Sequence, residues 1–171
     1  RPTLRFGCCR WLVSPLVAAG VPAQQIDVLR PRVMYGYGLC NVIPFELTHN
    51  VPNCGYKVHF RNGKVIYATD TSNLNGVQAI GYDLYLIEAN YTEEDIHRRI
   101  KEKRMAGEFA YEEQALRNHL SAEKCTEFLL KNMRGNSVSV PMHVHVGKEA
   151  PNDSHRENPS GGGQEAGGIA G

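Results

Sequence analysis

Tyr56-Lys-Val-His-Phe-Arg-Asn-Gly-Lys-Val-Ile-Tyr-Ala-Thr-Asp70 is the stretch on which the reading of this chain turns. Tyr56 to Phe60 and Lys64 to Thr69 are strand-like runs, and Arg61-Asn62-Gly63 stands between them. Asn-Gly between two such runs is the strongest short-range hairpin signal, because the favoured tight turn needs positive φ at both central residues. The second arm runs into a carboxylate, Asp70, followed by Thr71. An Asx-turn is the plain reading of that ending; a metal ligand delivered at the end of a strand is the sharper one.

Working outward, Leu4 to Phe6 and Ile26 to Leu29 read as short strands. Trp11, Leu12, Leu16 and Val17 form an apolar face on a helix that contains Pro15 and that Gly20 ends. Tyr35-Gly-Tyr-Gly38 reads as a turn and Val42 to Thr48 as a strand. Asp83-Leu-Tyr-Leu-Ile-Glu-Ala89 is an apolar run of strand length, expected to be buried on both faces. Thr92 caps a helix whose first turn, Glu93-Glu94-Asp95, suits the positive end of the dipole, and Ile96, Arg99 and Ile100 make a thin stripe along it. Tyr111 to Arg117 is a second, short helix. Ser121 caps a third, on which Cys125, Phe128, Leu129 and Met133 share one face and which Gly135 closes. Ser137 to Met142 is the last strand. Strands in hairpins, then helices, then a strand predict an α+β fold, a mostly antiparallel sheet packed with helices rather than a Rossmann alternation.

Composition narrows the class. The 171 residues suit one domain, set here at 1–146, and the polar, Gly-rich segment 147–171 has too little to bury and reads as a disordered tail. Net charge is +1 with both signs mixed, so there is no basic footprint for nucleic acid. The basic run from His97 to Arg104 is interleaved with acids and reads as a solvated helix face. Five cysteines, two of them adjacent at Cys8 and Cys9 and none in C-x-x-C spacing, fit neither a disulfide framework nor a zinc ribbon. Reduced thiols point to the cytoplasm. No apolar run approaches the ~18 residues of a membrane span, so no membrane association is expected.

Four polar residues carry the candidate chemistry. His49 follows Val-Ile-Pro-Phe-Glu-Leu-Thr, Asp70 follows Val-Ile-Tyr-Ala-Thr, His119 stands in Asn-His-Leu-Ser at what reads as a helix start, and His143 follows Val-Ser-Val-Pro-Met. His143 and His145 fall on the same face of an extended segment, and either could be a ligand. His59 reads as a solvated member of a cross-strand pair, His97 as a surface histidine and Cys54 as packing.

These segments, in this order, resemble the metallo-β-lactamase superfamily, nearest its tRNA 3′-processing nuclease and phosphodiesterase-like branches. The resemblance rests on His49-Asn-Val-Pro-Asn-Cys-Gly-Tyr56, Tyr67-Ala-Thr-Asp70-Thr71, Asp83-Leu-Tyr-Leu-Ile-Glu-Ala89, Asn118-His119-Leu-Ser121 and Val140-Pro-Met-His143, and spans Leu4 to His145. It implies part of an αβ/βα sandwich and a metal-dependent hydrolase acting on a phosphodiester or related ester through a zinc-bound hydroxide. His49 and His143 would each bind a zinc ion, Asp70 would bridge the two ions, His119 would donate a proton as the catalytic residue, and Glu88 would orient it. The substrate would be a small-molecule or nucleic-acid phosphoester. The family's His-x-His-x-Asp-His run is absent, since the chain's His-x-His is His143-Val-His145 followed by Gly147 and Lys148. The chain therefore reads as an N-terminally truncated C-terminal portion. It is expected to hold zinc weakly, to turn over little alone, and to form a homo-oligomer or to associate as a non-catalytic subunit with a partner carrying the complementing N-terminal half.

Overall fold

A computed structural model of the chain describes residues 4–144. The expected tail at 147–171 and the alternative ligand His145 lie outside the described residues.

Among the described residues there are two β-sheets and four α-helices. A small parallel sheet pairs β1 (Phe6–Cys9) with β2 (Ile26–Leu29). The chain between them forms a 3-10 turn, Arg10–Leu12, and α1 (Val13–Ala18). The first strand thus lies later than the expected Leu4 to Phe6, and the expected helix is broken in two. Its apolar face is not buried, since Leu12 and Val17 are exposed.

The large sheet has the order β3 (Tyr35–Gly36), β4 (Cys40–Leu47), β5 (Asn53–Phe60), β6 (Gly63–Ala68), β7 (Leu84–Glu88), β8 (Val138–Met142). The hairpin forms where the sequence places it, pairing Phe60 with Gly63 and Tyr56 with Tyr67. Its turn is centred on Arg61 and Asn62 rather than on Asn62-Gly63, since Gly63 opens β6 and neither Asn62 nor Gly63 has a positive φ. Tyr35 and Gly36, read as part of a turn, make a short edge strand against β4. β3 to β6 are antiparallel neighbours, whereas β6, β7 and β8 run parallel. The sheet is therefore mixed. Parallel neighbours need a crossover, and here the crossover between β7 and β8 is the helical segment of α2 (Glu93–Met105), α3 (Glu112–Asn118) and α4 (Ala122–Asn132).

One face of the large sheet is the core. Ile66, Ala68, Tyr85 and Ile87 point to it and pack against Phe45, Leu120, Cys125 and Phe128. The other face carries two rows fixed by register: Val42, Val58, Val65, Leu84 and Val138, then Pro44, Tyr56, Tyr67, Leu86 and Val140. Most of these are only partly buried, and Val138 and Val140 are 57% and 43% exposed. β7 is accordingly buried on one face and half-buried on the other, not on both as its continuous apolar run suggests.

Gly55 marks the closest approach within the sheet. A Cβ there would lie 2.5 Å from Cζ of Phe45 and 2.7 Å from the Tyr67 carbonyl oxygen. Glycine lets Phe45 lie flat across β5, and the Lys57 ammonium sits 5.5 Å from that ring's centroid. His59, read as solvated, instead meets the Tyr82 hydroxyl through Nε2 at 2.7 Å. The basic run of α2 is tied to acids, with Arg98 and Arg99 on Asp95, Lys103 on Glu112 and Arg104 on Glu113.

Candidate metal centre

Parallel pairing places the carboxyl ends of β6, β7 and β8 side by side, and each strand ends on a potential ligand. Asp70 follows β6 by two residues, Glu88 is the last residue of β7, and His143 follows β8 directly. Asp70 and His143 both have left-handed backbones, φ 55° and 53°. Such a conformation is uncommon outside glycine and turns the chain sharply. Asp and His are among the side chains that enter it most readily.

The fourth group arrives from the helical side. His119 closes α3 in an extended conformation, rather than opening the next helix, and its N–H bonds the Ala115 carbonyl. Ser121 is the N-cap of α4, its hydroxyl accepting from Lys124 N–H. The intervening residues run alongside the continuation of β7. Asn90 N–H donates to Leu120 O and Ala122 N–H donates to Tyr91 O, both at 2.8 Å. His119 is thereby carried to the same sheet end as Glu88.

Potential ligand atoms of Asp70, Glu88, His119 and His143 all lie within 4.8 Å of one another. His119 Nδ1 is 2.7 Å from Glu88 Oε1. His143 Nδ1 is 2.9 Å from Asp70 Oδ1 and 3.1 Å from Glu88 Oε1. Glu88 has no exposure at all; Thr71 N–H donates to its Oε2 at 2.8 Å. Asn90 Nδ2 donates to the His143 carbonyl at 3.1 Å, so the loop bearing His143 is anchored to the end of β7.

His49 sits in the turn between β4 and β5. Its ring stands edge-on to His119 with centroids 5.1 Å apart, and the His119 and His143 rings are 4.9 Å apart. Both His49 ring nitrogens are buried and meet no hydrogen-bond partner among the described residues. Thr71 fixes that turn to the Asp70 segment, since its hydroxyl accepts from Thr48 N–H at 3.1 Å while Ser72 N–H donates to Thr48 O. Asn53 completes the frame, its amide donating to the carbonyls of Thr69 and Asp70, each at 3.0 Å. A cleft of about 350 Å3 opens beside His49 and His119, walled by Asn90, Tyr91, Arg99 and Tyr111.

Of the residues singled out from the sequence, Asp70, His119 and His143 converge, and His49 stacks against the group without joining the set of four. Glu88, read as an orienting residue, lies within the set itself. The signal available for it was a single carboxylate at the end of an otherwise apolar run.

No protein-family model matches this sequence, and no curated protein matches it. Solved structures do match the fold. The metallo-beta-lactamase fold protein YhfI from Bacillus subtilis superposes with a TM-score of 0.53 at 13% identity, over 71% of this chain and 44% of its own. Zn2+-bound PqqB from Methylobacterium extorquens gives 0.56 at 10% identity, over 81% and 53%. This chain carries part of a metallo-β-lactamase fold. A diphosphatase of the PhnP family gives 0.52 at 12% identity, over 81% and 46%. The chain thus spans about half the length of each of these metallo-β-lactamase fold structures. Among the described residues no helix is long and apolar enough to cross a membrane.

Proposed function

We propose that this chain forms the part of a metal-dependent hydrolase that contributes Asp70, His143 and His49 as ligands and His119 as proton donor, acting on a phosphodiester or related ester. The observation that carries the reading is the meeting of two carboxylates and two imidazoles at one sheet end. The donor set fits a divalent transition metal. Imidazole and carboxylate are zinc ligands, the two carboxylates bring negative charge into a site where Glu88 is fully buried, and the buried His49 nitrogens meet no hydrogen-bond partner among the described residues. A buried polar group with no partner is costly, and a cation would satisfy it.

A bound divalent ion would supply Lewis acidity and a water of lowered pKa. The chain's own residues do the rest. Asp70 presents Oδ1 toward His143 from a left-handed turn. Glu88, as a carboxylate, can only accept, so His119 Nδ1 donates to it and Nε2 is left as the atom that takes or gives a proton. The Arg99 guanidinium on the cleft wall is held by Asp95 and offers charge to an anionic ester. The nuclease or phosphodiesterase branch of the superfamily, and a cytoplasmic setting, belong to this reading.

The test is titration of the purified chain with zinc or cobalt, followed calorimetrically and by cobalt absorption, beside hydrolysis of bis(p-nitrophenyl) phosphate. Binding that is lost in Asp70→Asn and in His143→Gln supports the reading. Unchanged binding in both variants overturns it.

The partly exposed apolar face of the large sheet, most open at Val138 and Val140 on β8, favours a second reading, in which the chain is a subunit. Sheets pack face to face through such rows, about 10 Å apart, and the partly exposed apolar rows that end in Val138 and Val140 offer an association surface. The occupant we infer is a polypeptide layer with its own apolar sheet face and further metal ligands, in keeping with the half-length match to the solved structures. Size-exclusion chromatography and addition of such a layer in trans test this. Zinc-dependent hydrolysis appearing only in the mixture supports it, and a homodimer or a stable monomer that ignores the added layer counts against it.

A further inference from the structure

Away from the metal centre, two thiols meet at the seam between the sheets. Cys9 ends β1 and Cys54 is the second residue of β5, 45 positions later. Their sulfurs are 3.2 Å apart, and Cys54 Sγ is also 3.2 Å from the Tyr56 hydroxyl. Cys9 is 0% and Cys54 5% exposed. The two sheets share no strand ladder among the described residues, so this contact is a side-chain link across their boundary. All five cysteines are free thiols, with Cys40 on β4 and Cys125 on α4.

We propose that Cys9 and Cys54 form a redox modification site, closing to an intramolecular disulfide when a peroxide acts on the chain. In the first step one sulfur attacks the O–O bond of hydrogen peroxide. An S–O bond forms, the O–O bond breaks, and the departing hydroxide leaves as water with the thiol proton, giving a sulfenic acid. The second sulfur then attacks the first. The S–S bond forms, the S–O bond breaks, and a second water leaves with the remaining thiol proton. Two thiols lose two electrons and two protons, and one peroxide becomes two waters. The sulfurs must approach by roughly 1 Å to reach the disulfide length of about 2.05 Å.

Burial pushes the Cys9 thiol up to about 12, so little thiolate exists at neutral pH and the closure is slow there, quickening with pH. The cross-link bears on the metal centre through one neighbour. Asn53, adjacent to Cys54, holds the carbonyls of Thr69 and Asp70. Closing the bond fixes the strand start from which Asn53 reaches them, and makes the two sheets one covalent body.

The full chain, exposed to hydrogen peroxide at about pH 8.5 and quenched with an alkylating agent, is analysed by intact mass and peptide mapping. A species lighter by two hydrogens, with the Cys9 and Cys54 peptides joined, reversed by dithiothreitol and absent from both Cys9→Ser and Cys54→Ser, is the expected result. Its thermal midpoint should lie several degrees above that of the reduced chain. Five alkylated thiols, oxidation to sulfinic acid without a cross-link, or a different pair would each overturn the proposal, and the wild-type map alone decides even if a serine variant fails to fold.

Discussion

Nδ1 of His119 lies 2.7 Å from Oε1 of Glu88, and the same carboxylate oxygen lies 3.1 Å from Nδ1 of His143. One fully buried carboxylate thus holds two imidazoles delivered by separate elements, α3 and β8. Orientation of metal-site histidines by a carboxylate typically contributes a factor of 10–100 in metal affinity or activity.

Glu88→Gln tests that role. The amide oxygen can still accept from Thr71 N–H, so the far-ultraviolet circular dichroism spectrum is expected to be unchanged. Zinc affinity, read by calorimetry, is expected to fall about 10–100-fold. Retention of full affinity would show that the carboxylate only packs.

Asp70 combines a charge with a left-handed backbone. Asp70→Asn keeps a residue that adopts this conformation and is expected to leave the urea midpoint nearly unchanged while weakening zinc binding. Asp70→Ala adds the strain of a left-handed alanine, on the order of 1 kcal/mol. The difference in unfolding free energy between the two variants measures that strain.

Gly55→Ala is expected to destabilise the chain by about 1–3 kcal/mol. The new methyl would meet the Phe45 ring and the Tyr67 carbonyl, and the second of these is backbone in the β5–β6 ladder, so the strand itself must shift. Urea denaturation gives the value, and a neutral result would mean the ladder yields freely.

His59 carries a pH signature. Burial first, then Lys64 and Lys57, hold its imidazole below the usual value. The unfolded chain therefore binds the proton more readily than the folded one. The stabilising contribution is complete above about pH 6.5 and is lost as the pH falls from there toward the depressed folded value. Comparing urea midpoints at pH 7.5 and 5.5, wild type is expected to lose more stability on acidification than His59→Gln.

Local chemistry made much of this fold legible. Arg61-Asn62-Gly63 marks where the hairpin lies, although Gly63 joins the strand instead of the turn, Thr92 and Ser121 cap their helices as read, and the alternation in β6 marks its buried face, because turns, caps and strand periodicity depend on residues a few positions apart. The same reading singled out Asp70, His119 and His143, each polar at the end of an ordered segment. Glu88 was harder to place. A carboxylate at the close of an apolar run suggests support for a neighbour, and only the pairing of β7 between β6 and β8 puts it beside Asp70, His119 and His143.

What the amino-acid order by itself determined is a set of elements and the polar residues at their ends. Tertiary structure decided which ends meet. The direction of β8 against β7 is set by the long crossover through three helices, that of β7 against β6 by the connection of residues 69–83, and both by burial of one sheet face, contacts between residues far apart in the chain. Parallel β6, β7 and β8 bring Asp70, Glu88 and His143 to one edge, and an antiparallel arrangement of the same strands would have sent Glu88 to the opposite end.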